Sequence, residues 1–104
     1  MILLVDSLAL DDLAEAERYY AEHAGLEVAQ RFVAEADRVL ALLGTATPNA
    51  SSAFDGGARF RHLRLRRFPY WVVFEDLAAD RRMVWAIAHE ARAPGHWRAR
   101  TGAR

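Results

Sequence analysis

The spacing of apolar residues changes once along this chain, and the change restricts the folds open to it. Between residues 7 and 43 apolar side chains recur every three or four positions, whereas from residue 59 onward they alternate. A period near 3.6 buries one stripe of a helix, and a period of two buries one face of a strand. Helices first and strands afterwards predict an α+β fold.

The opening run Met1–Val5 is continuously apolar and reads as a short buried strand. Ser7 is placed to cap a first helix, with Asp11 and Asp12 favourable near its positive end. Ala9, Leu13, Ala16, Tyr20 and Ala24 give that helix one apolar stripe, and Gly25 suits its left-handed exit. A second helix is expected from about Leu26 to Leu43. Its stripe is Ala29, Phe32, Val33, Ala36, Val39, Leu40 and Leu43, closed by Gly44. With almost no connection between them, the two helices are expected to form an antiparallel hairpin.

Residues 44–58 read as a loop, and strands follow at Phe60–Arg67, Trp71–Leu77 and Met83–His89. In the first of these, Leu63 and Leu65 share one face, and His62, Arg64 and Arg66 share the other. Pro69 forces a turn between the first two, and a short helix is expected from Pro94 to Arg100. The predicted order is β-α-α-β-β-β in one domain over residues 1–104. The helical hairpin covers one face of a small, mainly antiparallel four-stranded sheet, and arginines concentrate on the other face.

Composition narrows the functional classes. The apolar share of 53% excludes a disordered chain, and no apolar run approaches the roughly 18 residues of a membrane span. Cysteine is absent, which removes disulfides and thiolate metal sites. A cytoplasmic protein without membrane partners or cofactors is expected. Net charge is zero, but residues 1–58 carry three Arg against ten Asp and Glu, and residues 59–104 carry eleven Arg against four. All fourteen basic residues are arginine. A GC-rich genome accounts for much of that bias; a basic half also suits an anionic partner, either phosphate or an acidic protein segment.

Motifs exclude more than they assign. His89-Glu90 begins like a zinc-protease motif, but position 93 is Ala and the next histidine is His96. Two ligands four apart on a helix are therefore missing, and no metal is expected. No G-x-S-x-G and no phosphate-cradling glycine loop is present, since Gly56-Gly57 leads into a strand. Metal-free RNA cleavage needs a base, an acid and cations around the phosphate. His89 or Glu90 as base, His96 as acid, and Arg61, Arg64 and Arg92 as cations would supply them. Trp97, if exposed beside Arg98 and Arg100, would instead anchor a partner; otherwise it belongs to the core with the other aromatics.

A larger pattern runs through these residues. Asp12-Leu13, Tyr19-Tyr20, Ala29…Phe32, a leucine-rich helix end before Pro48, Arg61-x-Leu63 and Arg67-Phe68-Pro69-Tyr70…Phe74 occur in order. His89-x-x-Arg92-x-Pro94-x-x-Trp97-x-x-Arg100 closes the series. From about residue 7 to residue 100 the chain resembles the RelE/ParE toxin superfamily. The resemblance implies the toxin of a type II toxin–antitoxin module of the plasmid-stabilisation type, neutralised by a small antitoxin. RelE-like members cut mRNA in the ribosomal A site without a metal, and ParE-like members bind and inhibit DNA gyrase.

The chain leans toward the ParE branch, a binding protein rather than an enzyme. It has no lysine for RelE-like catalysis, and His96-Trp97 stands where a catalytic tyrosine would be. Under this reading Arg64, Arg66, Arg67, Arg92, Trp97, Arg98 and Arg100 contact antitoxin or gyrase. Under the alternative, a ribosome-dependent nuclease, His89, Arg92, His96 and Arg61 are catalytic and the partners are ribosome and mRNA. A degenerate toxin kept as an antitoxin-binding partner is the third reading.

Overall fold

A computed structural model of the chain describes residues 1–45, 51–52, 59–92 and 95–102. The sequence readings at Pro48, Gly56-Gly57 and Pro94 lie outside the described residues. Strand β1 (Ile2–Val5) leads into helices α1 (Ser7–His23) and α2 (Leu26–Thr45). The two-residue strand β2 (Ser51–Ser52), β3 (Phe60–Arg64), β4 (Tyr70–Ala78) and β5 (Arg81–His89) follow, then a 3-10 turn at His96–Thr101. The spatial order is β1-β5-β4-β3-β2, with β1 parallel to β5 and every other pair antiparallel. The α+β arrangement is the expected one, and the four expected strands lie in a sheet of five. Within the stretch read as loop, residues 51–52 add a short edge strand on Arg61 and His62.

Local boundaries differ from expectation in three places. Asp6, not Ser7, caps α1: its backbone is extended and its carboxylate accepts from the Leu8 amide at 3.1 Å. The same residue donates its own amide to Val84 at 2.9 Å, so strand end and helix start share one residue. Gly25, with φ of 96°, makes the expected left-handed break between the helices. Gly44 does not end α2, which continues to Thr45, whose hydroxyl donates to the Ala41 carbonyl at 2.9 Å. Strand β3 stops at Arg64 because the Leu65 amide bonds the Tyr70 carbonyl at 3.0 Å and starts the turn, leaving Arg66 in the turn.

The hairpin buries Phe32, Val39 and Leu43 against Leu65, Val72, Phe74, Val84 and Ile87. At one end Phe32 meets Tyr20, Phe68 and Tyr70 with ring centroids 5.1–5.3 Å apart. Each such fully buried side chain stabilises the fold by about 1.5–3 kcal/mol. The opposite sheet face is not left to arginines. Phe60, Val73, Ala86 and Ala88 form a second core, closed by Trp97 from the 3-10 turn. The Phe60 and Trp97 rings meet edge-on at 4.8 Å. A sheet buried on both faces explains why β5 reads as a continuous apolar run.

Candidate functional site

At one end of the sheet the start of β4 and the end of β5 pair through Tyr70 and His89. The β3–β4 turn and the exit of β5 lie side by side, since the Glu90 amide donates to the Pro69 carbonyl at 2.9 Å. Helix α1 runs alongside this end and leaves a cleft of about 530 Å³. Asp12, Glu15, Arg18, Tyr19 and Glu22 line it from α1, Tyr70, Ile87 and Ala88 from the sheet, and His89, Arg92 and His96 from the far side. The fold thus gathers His89, Arg92 and His96, three of the residues named for acid–base chemistry. Arg61 does not join them: it pairs with Asp76 and stacks 5.1 Å from the Phe74 ring, on the helix-facing side of β3 with Leu63.

Hydrogen bonding settles what His89 can do. Its Nδ1 accepts from the Ala91 amide at 3.0 Å. A neutral ring then carries its proton on Nε2 and has its one lone pair engaged, which makes His89 a poor general base. Glu90, the other base candidate, is 3.4 Å from Arg64 in an ion pair. Tyr70 is a donor, because burial, reinforced by Tyr20 and Tyr19, pushes its hydroxyl up to about 12.

Strand β1 covers the edge of β5 only as far as Val84. Beyond it two side chains replace the missing strand. Asp12 accepts from the Ile87 amide at 3.0 Å, and Arg100 donates to the Trp85 carbonyl at 3.2 Å. The two groups also bind each other through paired contacts of 2.6 and 3.0 Å. That pairing holds the Arg100 guanidinium above its ordinary value. One carboxylate thus ties α1, β5 and the 3-10 turn together beside the cleft.

The arginines proposed as contact residues separate into two groups. Arg64, Arg66, Arg67 and Arg92 are exposed at the cleft end. The Arg66 amide donates to Glu35 at 2.6 Å, and Arg38 grips the same carboxylate at 2.7 and 2.9 Å. The Arg38 contact, helped by the Arg66 amide, holds Glu35 below the usual carboxylate range despite its burial. Arg67 adopts φ of 67°. Of the 3-10 turn residues, Trp97 belongs to the second core, while Arg98 and Arg100 are half-buried, Arg100 in its pairing with Asp12. Trp97 is 1% exposed and offers a partner no surface, and Arg98 lies 5.6 Å from the Phe60 ring. Tyr70 and Glu35 were missed as site-building residues. A helical or strand period gives Tyr70 a burial but no cleft, and Glu35 reads only as solvated polar surface.

Among the described residues no group of three His, Asp or Glu is arranged for a metal, and no helix is long and apolar enough to cross a membrane. The family model described as the ParE toxin of type II toxin–antitoxin systems, parDE, matches residues 3–94. A solved structure described as the chromosomal ParDE TA system from P. aeruginosa superposes with a TM-score of 0.71 at 20% identity, covering 86% of this chain and 95% of that one. At that identity the likeness speaks for the fold. No curated protein sequence matches the chain.

Proposed function

The chain belongs to the family of ParE toxins of type II toxin–antitoxin systems, and from that premise we propose that it binds and inhibits DNA gyrase and is held inactive by a cognate antitoxin. The observation that carries a binding role over a catalytic one is the bonding of His89. With Nδ1 engaged by the Ala91 amide and Glu90 engaged by Arg64, neither candidate base is set to take a proton. Arg61, one of the three cations expected around the phosphate, is committed to Asp76. Exposed Arg64, Arg66, Arg67 and Arg92 at the cleft end supply the contact surface for antitoxin or gyrase.

Purified toxin is expected to block gyrase supercoiling, and addition of the antitoxin restores it. Unaffected supercoiling, with A-site cuts appearing in mRNA of a translation extract, would overturn this reading in favour of the nuclease. One feature supports that second reading: His89, Arg92 and His96 do line a single cleft. In that event His96→Ala is expected to abolish cleavage. Normal growth on expression of soluble protein without antitoxin would instead favour a degenerate toxin.

A further inference from the structure

We infer that the β3–β4 turn is a preformed cationic hook, with Arg67 held in a strained backbone conformation so that its guanidinium docks, beside that of Arg66, on carboxylates of a protein partner. The inference rests on the reading of this chain as a toxin that acts by binding proteins.

Arg67 is the non-glycine residue with positive φ among those described, at 67°. The left-handed region sets Cβ against the backbone and favours glycine or asparagine. An arginine persists there only where its surroundings over-determine the conformation, and such strain concentrates at sites of function. Here the surroundings are explicit. On one side Glu35 holds the Arg66 amide at 2.6 Å and is itself clamped by Arg38. On the other, the Tyr70 amide donates to the Phe68 carbonyl at 2.8 Å, and the Phe68 ring sits 5.3 Å from both Tyr20 and Phe32. Glu35 and Phe68 are thus positioning residues for the arginine between them.

What the turn presents is also distinctive. Arg59, Arg61, Arg64, Arg82 and Arg100 are each paired with a carboxylate. Among the described residues Arg67 has no such ion pair, nor do Arg66, Arg18, Arg81 and Arg92; the turn is distinctive in setting two such arginines next to each other in sequence. Arginine's planar fork suits two-point binding of a carboxylate or a phosphate. Charge favours the carboxylate. A nucleic-acid strand carries phosphates at every step and needs an extended basic track. The turn belongs to the arginine-rich half of the chain, but at least five arginines of that half are already ion-paired, so it offers a compact cluster and not a track. A few carboxylates on a folded protein fit that setting; a polyphosphate does not.

The test compares wild type with Arg67→Gly and Arg67→Asn, both of which accept positive φ. Thermal melting, calorimetric affinity for the purified antitoxin, and potency in gyrase supercoiling are measured on each. Both variants are expected to melt higher, by roughly 2–5 °C. Both are expected to lose about tenfold or more in antitoxin affinity or gyrase potency. Variants that melt no higher would refute the strain, and variants that bind and inhibit like wild type would refute the docking role. A loss confined to binding of a labelled single-stranded RNA would refute the protein partner. If wild type leaves supercoiling untouched, the gyrase reading falls, and the hook is judged on antitoxin affinity alone.

Discussion

Glu35 joins α2 to the β3–β4 turn through one carboxylate, with Arg38 on one side and the Arg66 amide on the other. Its folded value lies below the ordinary 4.5, so the native state holds this proton less tightly than the unfolded chain does. The stability it contributes is present above the unfolded value and is lost as pH falls through the folded one. Glu35→Gln is expected to cost about 1–2 kcal/mol at neutral pH. Urea unfolding at pH 7 and at pH 3 checks this, because the gap between variant and wild type should shrink in acid. Tyr70 marks the alkaline side. Its hydroxyl is raised to about 12 from 10.0, so the native state keeps a proton that the unfolded chain gives up first. The contribution of Tyr70 to stability is expected to be constant below pH 10 and to decline between 10 and 12. Tyr70→Phe should make the alkaline decline shallower, leaving the part due to half-buried Tyr20, which alkaline melting curves will report. The Arg38 partner of Glu35 is one helical turn away and readable from spacing, but its Arg66 amide and the burial of Tyr70 depend on neighbours far along the chain.

At the scale of elements, the 3-10 turn at His96–Thr101 decides how much of the sheet is covered. Trp97→Ala is expected to cost about 3–5 kcal/mol, measured by denaturant unfolding, because the indole closes the core of Phe60, Val73, Ala86 and Ala88. Asp12 and Arg100, both about 15% exposed, should show strong coupling. Either Asp12→Asn or Arg100→Ala alone is expected to cost about 2–4 kcal/mol and the pair much less than the sum, as a double-mutant cycle would measure. The helices and long strands were legible in the sequence because each has a period, and a period survives without knowledge of the fold. The face opposite the hairpin was misjudged for a reason equally physical. A six-residue turn has no period, and its covering action depends on one tryptophan meeting Phe60 from 37 positions away. The cleft shares that fate. His89, Arg92 and His96 stood out as chemistry-bearing types, but their distance from α1 is a property of the closed sheet.

On the scale of the whole molecule, the opposed charges of the two halves are muted by folding, because at least five of the eleven arginines after residue 58 form ion pairs with carboxylates. What remains is a compact cluster at the cleft end rather than a broad basic face. Association with a protein partner is therefore expected to slow by roughly tenfold between low salt and about 0.5 M, with little change in dissociation; stopped-flow mixing of toxin and antitoxin would measure both rates. The parallel pairing of β1 with β5 has a different reach. Ile2 meets Arg81, and Val5 meets Val84, so β1 finds its partner only once β5 has been made. Until residues beyond 80 exist, a growing chain has two helices with bare apolar stripes and a strand without a neighbour. Chains interrupted before that point are not weak toxins but unfolded ones, prey for proteases and chaperones. Under the proposed binding role, potency is acquired abruptly once β5 has been made, and the time taken to reach it is the interval an antitoxin would have in which to arrive.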